Sequence, residues 1–401
     1  MSKGQLSKES LNRMHDVLAR YVEDGVVPGL VSAVSRRGET HIEVMGSKEL
    51  GGAVPMHRDT IFRISSMSKP ITAVAAMILV EECVLRLDDP VDGFLPELAG
   101  RRVLKRLDGP LDETVPANRP ITLRDLLTFR LGFGMLMAPD TYPIVRAAAE
   151  RGLAAGPPRM ATLPEPNEWL RGFGELPLMH QPGESWMYHI GSAVLGILIA
   201  RACGRPLEDF LRERVFAPLG MKDTGFSVPP KSRDRLATSY AVDPGSRSLV
   251  LYDGVENSRW AEPPAFPDGG ADLVSTVDDY LAFARMMLGK GAYAGARILS
   301  RPSVEVMTMD HLTQEQKARS ALVPGEWDAR GWGFGVGVRT EREGLACAGR
   351  YGWDGGMGTT WFADPTEELT GILLTQRMWE SPQAPSIAVD FETLAYQAID
   401  G

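Results

Sequence analysis

The hydrophobic and polar residues follow two periods, and the changes of period along the chain predict its helices and strands. Near the amino terminus, an apolar stripe at helical spacing predicts a helix over residues 8–24, with Ser7 as its cap. Two strand-like runs, 30–36 and 40–45, then predict a hairpin. Residues 67–86 are apolar on nearly every face, so we expect a mostly buried helix there.

The middle of the chain is a series of helical pieces separated by loops rich in proline and glycine. The clearest of these helices are predicted at residues 121–130 and 190–202. Residues 135–182 are rich in Pro, Met and Gly, and this composition indicates a lid or a pocket wall rather than a regular element.

The last third of the chain changes from a helical to a strand-like period. A helix capped by Ser275 or Thr276 is predicted to run to Leu288, and a final helix is predicted at residues 386–399. Between these two helices lie the predicted strands, at residues 333–339, 345–350, 359–363 and 369–376.

Strands at both ends of the chain and helices between them predict the α/β fold class, of the α+β type. A mixed, mainly antiparallel sheet would form from the amino- and carboxyl-terminal segments and be flanked by helices, with an all-helical domain inserted. We expect residues 1–90 and 265–401 to form one discontinuous α/β domain and residues 91–264 to form the mainly helical insert. The active site would then lie in the cleft between them.

Composition and charge narrow the function classes. Hydrophobic residues make up 44% and charged residues 24% of the chain, which excludes the disordered and fibrous classes. The net charge of −9 argues against nucleic acid or an anionic membrane as the main partner. The amino terminus lacks the uninterrupted apolar stretch of a signal peptide, and no apolar run reaches the roughly 20 residues of a membrane helix. We therefore expect a cytoplasmic protein.

The cysteines and histidines indicate neither a disulfide framework nor a metal site. The three cysteines are far apart, and Cys83 and Cys203 lie in apolar helical patterns where small buried side chains are expected. The six histidines are scattered, and none is paired at metal-ligand spacing. No cofactor is therefore expected.

The clearest candidate chemistry is the tetrad Ser66-Met67-Ser68-Lys69, which lies where a predicted strand turns into the buried helix. At a spacing of three, the Ser66 and Lys69 side chains share one face of the first turn, about 5–6 Å apart at Cβ. The positive helix amino terminus favours an alkoxide or a developing oxyanion at Ser66. Burial would lower the pKa of Lys69 and let it act as a base. Because this spacing also arises by chance, the surrounding sequence decides its meaning.

That surrounding sequence resembles the class C β-lactamase-like superfamily in several blocks that occur in family order. The segment IFRISSMSKPITAVAAMILVEECVLRLDDPV is similar to the nucleophile region of that family. PITLRDLLT and PGESWMYHIGSAVLG resemble two further blocks, and the matches extend from about residue 28 to 376. The resemblance implies a β-lactamase/transpeptidase-like fold.

The resemblance also implies roles for single residues. Ser66 would be the acylated nucleophile, Lys69 its proton partner, and Tyr188 a second base whose phenolate the Lys69 cation stabilises. The backbone amides of Ser66 and Gly356 would form the oxyanion hole. His189 stays open as a functional candidate because it directly follows Tyr188.

The departures from the family pattern bear on the substrate. Trp353 stands where β-lactamases place a cation, and Ile190 stands where they place an asparagine, so the site is more apolar. In having a tryptophan at this position, the chain resembles the esterases known as family VIII carboxylesterases. Trp353 and Gly355 are therefore candidate substrate-binding residues, and three apolar residues near the matched blocks, Phe133, Met135 and Met137, are further candidates.

We therefore expect a serine carboxylesterase that acts on a small acyl ester with an apolar, short- to medium-chain acyl group. Three alternatives stay open at this point. One is an acyltransferase on the same scaffold, and another is a β-lactamase or D-amino-acid peptidase, which Trp353 and Ile190 disfavour. The last is a scaffold without catalysis, which the presence of Ser66, Lys69 and Tyr188 together argues against.

Overall fold

The computed structural model describes residues 6–136, 138–139, 141–153, 163–320 and 325–400. Its α-helices are, in chain order, α1 (Lys8–Glu23), α2 (Ser68–Glu81), α3 (Leu123–Leu127), α4 (Pro143–Glu150), α5 (Pro166–Glu175), α6 (Ile190–Cys203), α7 (Leu207–Leu211), α8 (Ala217–Leu219), α9 (Val277–Leu288), α10 (Arg301–Met307), α11 (Gln314–Arg319) and α12 (Ser386–Gln397).

Most strands belong to one sheet, and the others form short pairs. In chain order the strands are β1 (Gly29–Arg36), β2 (Glu39–Gly46), β3 (Phe62–Arg63), β4 (Arg102–Leu104), β5 (Thr114–Pro116), β6 (Ser239–Val242), β7 (Leu249–Asp253), β8 (Val274–Ser275), β9 (Ala292–Tyr293), β10 (Ala296–Arg297), β11 (Arg330–Trp332), β12 (Gly337–Arg339), β13 (Tyr351–Gly355), β14 (Thr359–Asp364) and β15 (Leu369–Thr375).

The main sheet has seven strands in the order β11-β12-β13-β14-β15-β1-β2, and every neighbouring pair is antiparallel. Strands β1 and β2 come from the amino-terminal part of the chain and the other five from the carboxyl-terminal part. The predicted sheet built from both ends of the chain is therefore confirmed. The predicted hairpin is confirmed too, with Arg37 and Gly38 both at positive φ in its two-residue turn.

Both faces of the sheet are covered, because alternate residues of its central strands point to opposite sides. On one side Val31 and Ala33 of β1 join a core that includes α2 and α9. On the other side Leu30 and Val34 of the same strand pack with α1 and α12. The residues at the start of α2 thus lie on the face opposite α12.

The chain between α2 and β8 contains helices α3 to α8, as the loop-rich helical pattern predicts. It also contains the strand pairs β4–β5 and β6–β7, so the expectation of an all-helical insert is wrong in detail. These strands are only three to five residues long, and so short a run carries no clear period in the sequence. The domain boundaries at residues 90 and 265 stay a prediction.

Several predicted elements differ from the observed ones. The strand predicted at residues 333–339 is confirmed only at β12, and the helix predicted at residues 121–130 is the shorter α3. The predicted strand 345–350 is a loop that precedes β13, because Gly344 and Gly349 both adopt positive φ and turn the chain. The helix predicted to reach residue 86 ends at Glu81. Cys83 follows at φ 58° and is exposed, so its expected burial is wrong.

Among the described residues, no single helix has the length and apolar character needed to cross a membrane. Helices Ile190–Cys203 and Leu207–Leu219 reach that threshold only as a pair, and the pair is bent by 80°.

Candidate active site

Ser66 lies in a single 3-10 turn, Ser65–Met67, between β3 and α2. Ser65 has φ 45°, an uncommon value for a residue other than glycine, and this turns the chain sharply out of the strand. Ser68 stabilises this turn, because its Oγ donates to the Ser65 carbonyl at 2.6 Å and accepts from the Leu273 amide at 3.2 Å. Ser66 is left partly exposed on this support.

The Lys69 side chain is 1% exposed and reaches back to Ser66, as the three-residue spacing predicts. Its Nζ lies 2.9 Å from Ser66 Oγ and 2.7 Å from the carbonyl oxygen of Gly270. Burial lowers the pKa of Lys69 to about 7, against a smaller opposing effect of Asp268. At neutral pH a large fraction of this amine is therefore unprotonated.

Tyr188 completes the polar group around Ser66. Its hydroxyl accepts a hydrogen bond of 2.7 Å from Trp353 Nε1 and makes a hydrogen-bond contact with Ser66. Burial raises the pKa of Tyr188 well above its usual range, and the contacts with Ser66 and Trp353 lower it by less. The phenol is thus neutral at physiological pH, which differs from the expected phenolate. The Lys69 amine lies 4.7 Å from the ring centroid.

A second polar layer lies behind Lys69. The Nδ1 of His189 is 3.2 Å from Lys69 Nζ, and its Nε2 is 3.5 Å from Asp268 Oδ2. Asp268 Oδ1 accepts from the Gly270 amide at 2.7 Å, and the Asp268 amide donates to Asp272. Burial of His189 and the nearby Lys69 lower the pKa of this imidazole, so His189 is neutral. His189 was an open candidate from the sequence. Asp268 was not predicted, since nothing in the sequence indicates that it approaches Lys69.

The end of β13 lies against the Ser66 turn. Gly355 is buried there, and a Cβ at this position would lie 2.3 Å from the Ile64 carbonyl oxygen, so only glycine permits the close approach. Gly356 is exposed, and a Cβ built on it would meet no atom within 4 Å. The strand therefore places an open backbone segment next to Ser66.

Comparison with known proteins identifies the family of this chain. The family model described as Beta-lactamase matches residues 14–390. This chain belongs to the beta-lactamase family. The resemblance read from its sequence blocks is therefore confirmed.

Individual relatives of this beta-lactamase family member extend the comparison. Protein Rv1367c of Mycobacterium tuberculosis is 39% identical over 373 residues, covering 91% of this chain and 88% of the relative. Esterase EstB of Burkholderia gladioli is 30% identical over 395 residues, covering 93% and 92%. The solved structure of EstCE1, described as a hydrolase with promiscuous acyltransferase activity, has a TM-score of 0.77 at 25% identity and covers 97% of this chain and 99% of its own.

An aromatic cluster surrounds Tyr188 in this beta-lactamase family member. Trp353 and Tyr188 are in ring contact, with centroids 5.6 Å apart, and both are partly buried. Behind them pack four more aromatic rings, Phe129, Trp186, Trp327 and Trp332. Of these rings, Trp353 alone was predicted from the sequence, because the others come from separate segments.

The predicted pocket residues have different positions. Phe133 is fully buried and packs edge-on against Phe173 at 5.1 Å, so it belongs to the core and its side chain is not presented to a ligand. Apolar composition does not separate core from pocket, and this explains the error. Met135 is partly buried, and its amide donates to the Tyr188 carbonyl at 2.9 Å. Met137 lies outside the described residues.

A cavity of about 570 Å³ lies at the edge of the sheet, where strands β11–β13 and helix α12 line it. Its lining includes Arg339 and Arg350, which pair with Glu343 and Glu392. It shares Trp353 with the aromatic cluster, but Ser66, Lys69 and Tyr188 are not part of the lining. We place the candidate active site by its chemistry, at Ser66, because there a partly exposed hydroxyl lies 2.9 Å from a buried amine.

Proposed function

We propose that the protein is a serine carboxylesterase that hydrolyses apolar acyl esters through an acyl-enzyme on Ser66. The observation that carries this proposal is the contact of 2.9 Å between Ser66 Oγ and a buried lysine whose pKa is lowered to about 7. A hydroxyl next to an unprotonated amine is an activated nucleophile. The similarity to esterase EstB and to the hydrolase EstCE1 supports ester bonds as the target.

Acylation would begin with proton transfer from Ser66 Oγ to Lys69 Nζ as Oγ attacks the ester carbonyl carbon. The carbonyl oxygen gains negative charge, and we propose that the backbone amides of Ser66 and Gly356 stabilise it. Each such donor contributes on the order of 10²–10³ in rate in other acyl-transfer enzymes. The open backbone at Gly356 is compatible with this role, because no side chain blocks the approach of the substrate.

Tyr188 would act as the acid that releases the alcohol. Because its phenol is neutral, it can give its proton to the leaving oxygen as the bond from carbon to that oxygen breaks, and recover one from the Lys69 ammonium. Trp353 Nε1 donates to the Tyr188 oxygen and so directs the phenol hydrogen away from the indole. In deacylation a water molecule attacks the acyl carbon and loses a proton to the Lys69 amine. That proton reaches Ser66 Oγ as the bond between Oγ and the acyl carbon breaks and the free acid leaves.

The aromatic cluster supports apolar substrates. Trp353 supplies an indole at the position where a cation would pair with a substrate carboxylate, and a flat apolar surface favours an uncharged acyl or alcohol group. This agrees with the resemblance to family VIII carboxylesterases. A cytoplasmic location, and a main partner other than nucleic acid or membrane, stay predictions from the sequence.

A substrate panel tests the function. We expect hydrolysis of p-nitrophenyl esters with short- to medium-chain acyl groups to exceed turnover of nitrocefin and of D-alanyl peptides by at least about 100-fold in kcat/KM, because Trp353 offers no charge to a carboxylate. Initial rates on one enzyme preparation measure this ratio. Faster turnover of nitrocefin or of a D-alanyl peptide would contradict the assignment as an esterase.

Transfer to an alcohol is the second candidate activity, and the description of EstCE1 favours it. The same acyl-enzyme would be attacked by an alcohol in place of water. Adding a competing alcohol and quantifying the new ester against the free acid separates transferase from hydrolase activity.

The pH dependence follows from the state of Lys69. The amine accepts the Ser66 proton only when it is unprotonated, so activity is lost as the pH falls below the lowered pKa of about 7. We expect kcat/KM for a p-nitrophenyl ester to rise with pH and level off above about pH 8, one unit past that pKa. A profile already flat at pH 5 would contradict a role for Lys69 as the base.

A further inference from the structure

The surroundings of the Lys69 amine determine which of its three partners can give it a proton. Nζ lies within hydrogen-bonding distance of Ser66 Oγ at 2.9 Å, the Gly270 carbonyl oxygen at 2.7 Å and His189 Nδ1 at 3.2 Å. An unprotonated amine has two N–H donors and one lone pair. The Gly270 oxygen can only accept, so it takes one of the two hydrogens.

The tautomer of His189 decides where the lone pair points. Asp268, a buried carboxylate, faces Nε2 of the neutral imidazole and can only accept, so the ring hydrogen lies on Nε2. Nδ1 is then an acceptor and takes the second hydrogen of the Lys69 amine. Both amine hydrogens are thus bound by Gly270 and His189, and the lone pair is left for the hydroxyl of Ser66.

The backbone of His189 shows that this position is held by its surroundings. It has φ 86° and ψ −62°, and the Ile190 amide donates to the Tyr188 carbonyl at 3.3 Å, which makes His189 the centre of a γ-turn. This conformation is strained for a residue with a side chain. Such strain persists where other contacts compensate, and here the imidazole connects Lys69 with Asp268.

We propose that His189 and Asp268 are positioning residues, which bind one hydrogen of the Lys69 amine and so aim its lone pair at Ser66. This inference rests on the proposed function, in which Lys69 takes the Ser66 proton. When that proton arrives, the ammonium has three hydrogens for Gly270, His189 and Ser66. The ammonium does not pass a proton to His189 and the imidazole stays neutral, so the pair orients the base without taking part in the transfer.

Asp268→Asn tests the tautomer directly. Oδ1 would keep its bond to the Gly270 amide, and the new Nδ2 would donate to His189 Nε2 in place of Oδ2. The ring hydrogen would then move to Nδ1 and point at the Lys69 lone pair. We expect kcat for a p-nitrophenyl ester to fall on the order of 10²-fold with KM nearly unchanged. The Lys69 lone pair would accept from His189 Nδ1 and not from Ser66 Oγ, while the substrate pocket is unchanged.

Two substitutions of His189 provide an independent test. His189→Asn places an amide oxygen near Nδ1, tolerates positive φ, and is expected to keep kcat within about tenfold of the wild type. His189→Leu removes the acceptor, so one amine hydrogen is free to turn toward Ser66, and we expect the larger loss of kcat. Equal kcat for the two variants would overturn the proposal.

The double variant distinguishes positioning from a general structural effect. Because the amide oxygen of His189→Asn accepts whatever residue stands at 268, adding Asp268→Asn is expected to lower kcat by less than about twofold further. A loss of about 10² in this background as well would show that Asp268 does not act through His189 and would overturn the proposal.

The matched control is Asp364→Asn, another buried carboxylate, which accepts from Tyr396 on the far face of the sheet. It is expected to lower the thermal midpoint without the loss of kcat. Labelling of wild-type Ser66 by a fluorophosphonate tests the proposed function separately from this inference. An unlabelled wild-type Ser66 would reject the proposed function, whereas a labelled enzyme with unchanged kcat in Asp268→Asn would reject only this inference.

Discussion

Ser66→Ala is expected to abolish ester hydrolysis, with a loss of kcat on the order of 10⁵–10⁶-fold, comparable to the removal of a nucleophile from other serine hydrolases. The hydroxyl is the only group that the proposed acyl-enzyme can use, so no remaining residue can replace it. Rates with p-nitrophenyl butyrate and labelling by a fluorophosphonate probe measure the effect. Stability should change little, because Ser66 is partly exposed and the turn is held by Ser68 and Leu273.

Ser68→Ala is the matched control for this variant. It removes a hydroxyl from the same turn, but one that is fully buried and bonded to backbone atoms at both ends. We expect a loss of about 1–3 kcal/mol in the free energy of unfolding while fluorophosphonate labelling is retained. If Ser66→Ala hydrolysed the ester at the wild-type rate, Ser66 would not be the nucleophile.

Lys69→Met is expected to lower kcat about 10³–10⁴-fold by removing the base next to Ser66. Methionine fills the space of the lysine stem, so the change removes the amine without opening a large cavity. Lys69→Arg should lose a similar factor, because a guanidinium is always protonated and cannot accept the Ser66 proton. Steady-state kinetics of the two variants, each compared with the wild type, distinguish the effect on kcat of losing the base from the effect of losing the positive charge.

Lys317→Met controls for the removal of a buried lysine. Lys317 is 7% exposed, and its amine pairs with Asp310 at 2.6 Å. Its replacement leaves the Asp310 carboxylate without this partner, so we expect reduced stability and wild-type kcat. An Lys69→Arg variant with nearly full activity would show that the charge of Lys69 matters and its basicity does not.

The parts of the structure that depend on local interactions could be predicted from the sequence. Ser66 and Lys69 are three residues apart on one helix, so their contact depends on helical geometry alone and is visible in the tetrad. The hairpin of β1 and β2 follows from alternation and a two-residue turn for the same reason. Tyr188 was found differently, through the resemblance of PGESWMYHIGSAVLG to a family block, because 119 positions separate it from Lys69.

Packing of distant segments decided the rest. The lowered pKa of Lys69 comes from burial among residues near 189 and 270, and no local pattern states which groups will desolvate an amine. The position of Asp268 behind His189 depends on the loop before β8, and the aromatic cluster combines segments near residues 129, 186 and 332.

The sequence by itself determined the contact of Ser66 with Lys69, the antiparallel sheet from both ends of the chain and the family. These depend on interactions over a few residues or on blocks in a fixed order. Only the tertiary structure decided that Phe133 is core, that Tyr188 stays neutral and that Asp268 faces His189. Burial and hydrogen-bond partners are properties of the folded surroundings, since each depends on side chains brought together from separate parts of the chain.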